Sequence, residues 1–291
     1  MSSVYIKHVQ LAQLRFRSMV TTEDIDFRYN GGRFNRGVKM NIGIIPLVSA
    51  IVSFLFGITV LDQYFARRQP FQLLWTVGLF MYGISAFTEF YTETYGLHLV
   101  MFRLWYLFGA ICVAAFLGQG TVYLLAKRRT AHILMAIVVV ISVYSASRLF
   151  TSNIDLGTAT RLTDQIIVPT DVGVVTGLMN VYGTVTLVGG ALYSAWIFWR
   201  KRILPYRVQS NVLIALGALL PAIGGSLLRL GTARSAPFYI LELSGVIVIF
   251  IGFLRTKEVF GFFRFPLIHG FAPVKGTNPV FRKSDSDTKV K

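Results

Sequence analysis

Seven long apolar runs constrain this chain more than any other feature of its sequence. A helix needs about 20 mostly apolar residues to cross the hydrocarbon core of a bilayer. Only 14% of the residues are charged, compared with about 25% in a soluble domain. The sequence therefore predicts an all-α, polytopic membrane protein with seven transmembrane helices. The predicted spans cover about 41–62, 72–91, 98–126, 132–150, 173–199, 209–231 and 236–255.

The charges between the spans predict the orientation of the chain. Basic residues collect in the first, third and fifth loops and after the last span, for example Arg67 and Lys127. The alternate loops are mainly acidic and include Glu93 and Asp155. Because basic loops stay in the cytoplasm, we expect the N-terminus outside and the C-terminus inside. We expect a multi-pass protein of the plasma membrane, with the lipid bilayer as its first partner.

The composition divides the chain into four segments. Residues 1–40 form a basic extension without the apolar core of a signal peptide. Two explanations stay open for it: a start assigned too early, with Met40 as the true start, or a real extension that stays inside and changes the span count. The seven-helix domain is predicted over 41–256. A Phe-rich interfacial segment follows over 257–273, and a disordered basic tail over 274–291.

The ionisable residues inside the spans are the candidate ligand-binding residues. Such residues are functional candidates by default, because charge is costly in hydrocarbon. All five are predicted to lie in the outer third of the bilayer. They are Glu89, Arg103, Arg148, Arg229 and Glu242.

Matched spacing around the turns predicts how these charges pair. Glu89 and Arg103 lie seven residues on either side of one turn, and Arg229 and Glu242 are similarly centred on another. Short turns make the flanking helices antiparallel neighbours, so each pair is expected to neutralise itself. Arg148 is left without an obvious acidic partner. Either these are structural ion pairs and snorkelling side chains, or they line an outward-facing pocket in which Arg148 holds an anionic ligand or lipid.

Small residues mark the fifth and sixth spans. Glycines at short spacing allow close approach of helices, and tight packing of these two spans is one interpretation. The other is a kinked, gated sixth helix, with Pro221 and Gly224 as the gating residues. The amide Gln119, on the small-residue third span, is expected to bond a neighbouring helix rather than a substrate.

No known catalytic or cofactor pattern accounts for the remaining polar residues. A single cysteine, Cys112, excludes an internal disulfide and a multi-cysteine metal site. We find no nucleophile–base arrangement, so no catalytic residues, metal or cofactors are predicted, and enzyme activity is disfavoured. The net charge of +16 is attributed to basic cytoplasmic loops rather than to nucleic-acid binding.

The run FRLWYLFGAICVAAFLGQGTVYLL at 102–125, with FTEFY at the end of the second span, resembles a pattern in uncharacterised prokaryotic seven-helix membrane proteins. The topology also resembles the seven-span sensor modules that precede bacterial histidine kinases. Neither resemblance implies a specific activity.

Together, these features predict a non-enzymatic membrane protein, receptor-like or a scaffold, with an outward-facing polar pocket. The alternatives are a small-solute transporter and a structural subunit of a larger membrane complex, which would have a protein partner in the membrane.

Overall fold

A computed structural model describes residues 42–164, 166–202, 204–231 and 235–255. Within these residues, the elements are helices and their connections. The basic extension, the interfacial segment and the tail predicted from the sequence lie outside the described residues. The helices are α1 (Ile44–Arg67), α2 (Pro70–Tyr95), α3 (Leu99–Leu125), α4 (Arg128–Thr151), α5 (Thr170–Arg200), α6 (Pro205–Arg229) and α7 (Ser235–Leu254).

The seven predicted spans are confirmed as helices, each long and apolar enough to cross a membrane. The all-α fold and the multi-pass membrane class follow from them. The side on which each terminus lies stays a prediction. We call the end of the bundle with the α2–α3, α4–α5 and α6–α7 connections the loop end, and the opposite end the basic end. The loop end is the one predicted to be external.

Local sequence signals set the limits of several helices. Pro70 and Pro205 each occupy the first turn of a helix, where the missing N–H is not needed. Gly96 ends α2 with a φ of +96°, a conformation that favours glycine. His98 then begins α3, because its Nδ1 accepts a hydrogen bond from the Val100 N–H at 3.3 Å. These signals make the tight α2–α3 hairpin that the matched charge spacing had indicated.

Glycines bring α3 and α5 into close contact. A Cβ on Gly183 of α5 would overlap the backbone of Ala114 on α3, and Gly118 of α3 lies against the Gly183 backbone. Both helices contain a π-helical turn, at Tyr106–Cys112 and at Val185–Gly189. Each of these turns lies within a few residues of the crossing.

The glycines of α6 pack against α7 rather than α5. A Cβ on Gly217 would lie 2.9 Å from the Gly245 carbonyl oxygen, and a Cβ on Gly245 would lie 2.5 Å from Pro221 Cδ. Spans five and six do pack against each other, through a cluster that includes Ala191 of α5 and Ala215 of α6. Their closely packed glycines face other helices: Gly183 and Gly190 of α5 face α3, and Gly217 and Gly224 of α6 face α7. Helix α6 stays helical through Pro221.

The α4–α5 connection, residues 152–169, is held against the loop end by apolar anchors. Leu162 is 1% exposed and Ile154 is also buried, and both belong to the main core cluster with Phe238 and Tyr239 of α7. The connection is therefore packed against α7 in a defined position. This packing positions the polar residues on either side of Leu162.

Candidate functional site

Glu89 is the most deeply buried acidic side chain among the described residues, with 1% of its surface exposed. It lies six residues before the end of α2, about 9 Å along the helix axis at 1.5 Å per residue. The Trp105 indole N–H of α3 donates to Glu89 Oε1 at 2.7 Å. Glu89 Oε2 is also buried, yet no described N–H or hydroxyl group donates to it. A buried carboxylate oxygen without a donor is costly, so the neighbours of Oε2 matter.

The neighbouring group is a second carboxyl. Glu242 of α7 lies within hydrogen-bonding reach of Glu89. A carboxylate can only accept hydrogen bonds, whereas a protonated carboxyl group also donates one. The two side chains can therefore bond each other only when they share a proton. We call Glu89 and Glu242 the carboxyl pair.

Two tyrosines connect α2 and α7 on either side of the carboxyl pair. The Tyr82 hydroxyl of α2 donates to the Glu242 main-chain carbonyl at 2.9 Å. Towards the loop end, the Tyr239 hydroxyl of α7 donates to Glu93 Oε1 at 3.0 Å. These bonds fix the two helices above and below the pair, and they hold the two carboxyl groups together. Glu242 itself is only partly buried.

A single basic side chain reaches this cluster from the α4–α5 connection. Arg161 Nε lies 3.8 Å from Glu93 Oε1, and its Nη1 donates to Ser235 Oγ at 3.4 Å. Three glutamates, Glu89, Glu93 and Glu242, thus face one arginine among the described contacts. The site is acidic, so its electrostatics favour a cation or a proton over an anion.

The structure does not bring the five predicted ligand-binding residues together. Glu89 bonds Trp105 instead of Arg103, and Arg103 Nη2 donates to the Ser152 carbonyl at 2.9 Å and lies over the Phe150 ring. The predicted Glu89–Arg103 pairing is therefore wrong. The physical reason is direction: Trp105 is two residues from Arg103, about 200° around α3, so the two side chains point to opposite sides.

The expectation that Arg148 has no acidic partner is also wrong. Its Nε donates to Asp171 Oδ2 at 2.7 Å, and the Tyr144 hydroxyl donates to the same oxygen at 2.7 Å. Asp171 stands in the first turn of α5, so it pairs with the last turns of α4 across the long connection. Arg148 is therefore not available as the free cation of an anion pocket.

The remaining predicted residues take separate positions. Arg229 is exposed at the end of α6, whereas its predicted partner Glu242 lies beside Glu89. Pro221 and Gly224 both face α7, where a Cβ added to Gly224 would lie 3.4 Å from Leu241 and Phe238 side-chain atoms. Their gating role stays a prediction.

We expect the Arg148–Asp171 pair to contribute little to stability, since both side chains are substantially exposed. Arg148→Ala and Asp171→Ala should each lower the melting temperature slightly, and the double variant should lower it no further than the larger single effect. Thermal unfolding of the four proteins in one detergent tests this. Additive effects would show that the two residues act independently.

Two amide side chains in the bundle, the buried Gln119 and the partly buried Asn180, have structural partners. Gln119 Nε2 donates to the Ala131 carbonyl of α4 at 2.7 Å, and the Tyr182 hydroxyl donates to Gln119 Oε1. The expectation that Gln119 bonds a neighbouring helix is confirmed. Asn180 Nδ2 donates to the Ala110 carbonyl at 2.6 Å, within the π-helical turn of α3. Each amide therefore has a structural partner on a neighbouring helix, whereas Glu89 Oε2 has no donor among the described residues.

Sequence reasoning missed five residues of this site, although spacing gave a signal for some. Glu93 is one helical turn from Glu89, and Tyr239 is three residues before Glu242, so each shares a face with a predicted residue. Trp105, Tyr82 and Arg161 had no such signal, because their contacts depend on which way neighbouring helices are rotated.

No group of three or more His, Cys, Asp or Glu side chains in the described part of the chain is arranged to hold a metal ion. Comparison with known proteins found no matching protein family, no matching curated protein and no matching solved structure.

Proposed function

We propose that this chain is a non-enzymatic, receptor-like membrane protein whose bound species is a proton held between Glu89 and Glu242. The single observation that carries the proposal is the buried Glu89 Oε2, which lacks a donor and adjoins a second carboxyl group. One shared proton supplies the missing donor and removes the repulsion between two adjacent anions. This replaces the anionic ligand that the arginines in the sequence had suggested.

The proton fits the site better than an anion or a metal ion would. Arg103 and Arg148, which would have bound an anion, are engaged with Ser152 and Asp171. A divalent metal generally needs more ligands than two carboxyl groups provide, and Glu93 is committed to Tyr239 and Arg161. A proton needs only the two carboxyl groups already present.

The proposal predicts a specific dependence of stability on pH. The folded pair holds a proton that unfolded glutamates release above about pH 4.3. Because the folded state then binds more protons than the unfolded state, stability falls as the pH rises. In Glu242→Gln the new amide N–H donates to Glu89, so no shared proton is needed. The loss of stability with rising pH should therefore disappear.

Thermal unfolding in lipid nanodiscs across pH 5 to 9 tests this prediction. Asp155→Asn is the matched control, because it removes one exposed carboxylate from the α4–α5 connection and should keep the wild-type pH profile. An identical pH profile for Glu242→Gln and wild type would contradict proton binding by the pair.

A proton-coupled transporter is the second candidate, and one observation favours it. Buried polar side chains also lie nearer the basic end: Gln72 and Thr76 on α2, and Asp62 and Gln63 on α1. Transport requires a path that reaches both faces of the membrane. Proteoliposomes with a pH-sensitive dye inside distinguish the candidates, because a flux abolished by Glu242→Gln supports transport, whereas pH-dependent stability without flux supports a receptor-like role.

A further inference from the structure

The α4–α5 connection places the cation Arg161 beside Glu93, one helical turn from Glu89 of the carboxyl pair. Its guanidinium contacts Glu93 and Ser235, at 3.8 Å and 3.4 Å. Glu93 is one turn from Glu89 on α2, about 6 Å away. Arg161 therefore sits on the loop-end side of the three glutamates. The contact is loose, and the Arg161 side chain is 46% exposed, so it can be broken without unfolding a helix.

The connection is built to hold Arg161 in this position. The next residue, Leu162, is buried in the core, and Thr163 Oγ1 and Ser235 Oγ are hydrogen-bonded at 2.6 Å. Asp164 Oδ2 also accepts hydrogen bonds from the N–H groups of Arg161 at 2.9 Å and Thr160 at 2.7 Å. The three residues that follow Arg161 thus fix the backbone around it, and its side chain contacts α2 and α7.

We infer that the Arg161 cation weakens proton binding by the carboxyl pair. Proton binding in turn weakens the attraction that holds Arg161, and with it the α4–α5 connection. A nearby cation favours the ionised state of the glutamates, and a proton on the pair reduces the negative charge that holds the cation. By thermodynamic linkage, the free energy by which Arg161 weakens proton binding equals the free energy by which the bound proton weakens the Arg161 contact. The inference rests on the proposed function.

The charged and titratable groups around the pair are consistent with this coupling. Helix α2 presents Tyr82 and Glu93, helix α7 presents Tyr239, and the connection presents Arg161. From α3 the group in contact is the neutral Trp105 indole, while Arg103 is turned towards Ser152. Helix α6, which packs against α7, ends at the exposed Arg229. Among these cations, Arg161 is the one with a described contact to a glutamate of the cluster.

Removing the Arg161 charge should make the pair hold its proton to higher pH. In Arg161→Gln, the infrared band of the protonated carboxyl group should disappear at a pH at least half a unit above the wild-type value, about a threefold gain in proton affinity. Arg161→Lys should stay close to wild type. Arg148→Gln, a change at the same end but with a different partner, should leave the value unchanged.

A band that disappears at the same pH in Arg161→Gln and wild type would overturn the inference. Absence of the band in wild type would instead refute the proposed function.

The reciprocal effect is measured at the connection itself. Thr160 is exposed and precedes Arg161, and the native Cys112 is buried at 2% exposure. The thiol of Thr160→Cys, on a Cys112→Ala background, is labelled at a series of pH values, and each rate is corrected for the fraction of thiolate. The corrected rate should be higher at low pH, because the pair is then protonated and Arg161 is released. Adding Glu242→Gln should remove this pH dependence. Equal corrected rates at all pH values, or the same pH dependence with Glu242→Gln, would contradict the inference.

Discussion

Glu89→Ala should destabilise the helix bundle by about 3 kcal/mol or more, whereas Glu89→Gln should stay close to wild type. The alanine removes the acceptor for the buried Trp105 N–H, whose bond to Glu89 Oε1 is 2.7 Å. An orphaned buried donor costs about 1–3 kcal/mol, and truncation of a buried side chain adds a cavity cost. Glutamine keeps the acceptor and supplies an amide donor to Glu242.

A double-mutant cycle separates the Trp105 bond from the other effects of Glu89→Ala. Trp105→Phe removes the indole donor, so the combination with Glu89→Ala should cost less than the sum of the two single variants. The measurement is reversible unfolding, or thermal unfolding where refolding is incomplete, in one defined detergent or lipid system. Additive costs would show that the hydrogen bond between Trp105 and Glu89 does not form in the folded protein.

Gly183→Ala should have the second large effect, through the close crossing of α3 and α5. Its new methyl group would overlap the Ala114 carbonyl carbon and lie 2.6 Å from the Ala115 amide nitrogen. Backbone atoms cannot rotate aside as a flexible side chain can, so the helices must separate. We expect a cost at or above the upper end of the range of about 1–3 kcal/mol for an overpacked core.

Gly177 provides the matched control for this substitution on the same helix. A Cβ at Gly177 meets no atom within 4 Å, so Gly177→Ala should be neutral or slightly stabilising, because alanine favours helix. Thermal unfolding of both variants beside wild type tests the contrast. Similar melting temperatures for Gly183→Ala and Gly177→Ala would show that the crossing is looser than described.

The spans could be predicted from the sequence because the bilayer imposes a length and a polarity on each helix. Helix ends were harder: α1 was expected to end near residue 62 but continues to Arg67. Asp62 and Gln63 lie just before its last turn, and both are buried. Local polarity suggested an end to the span, but burial inside the bundle allows these polar residues to remain in the helix.

The site could be predicted only in part because chain position gives depth but not direction. Matched spacing around Gly96 correctly placed Glu89 and Arg103 near the same end of adjacent helices. It could not show that Trp105, rather than Arg103, faces Glu89. That outcome depends on helix rotation, which packing across the whole bundle decides. The Glu89–Glu242 contact joins residues 153 positions apart, and no local pattern indicates it.

The central claim is that Glu89 and Glu242 share a proton, and infrared spectroscopy of the protein in lipid tests it most directly. The C=O stretching band of a protonated carboxyl group is separate from the bands of ionised carboxylates. The account predicts this band in wild type at neutral pH and its loss in both Glu89→Gln and Glu242→Gln, with Asp155→Asn unchanged. A wild-type spectrum without the band, or a band that survives both glutamine substitutions, would contradict the account.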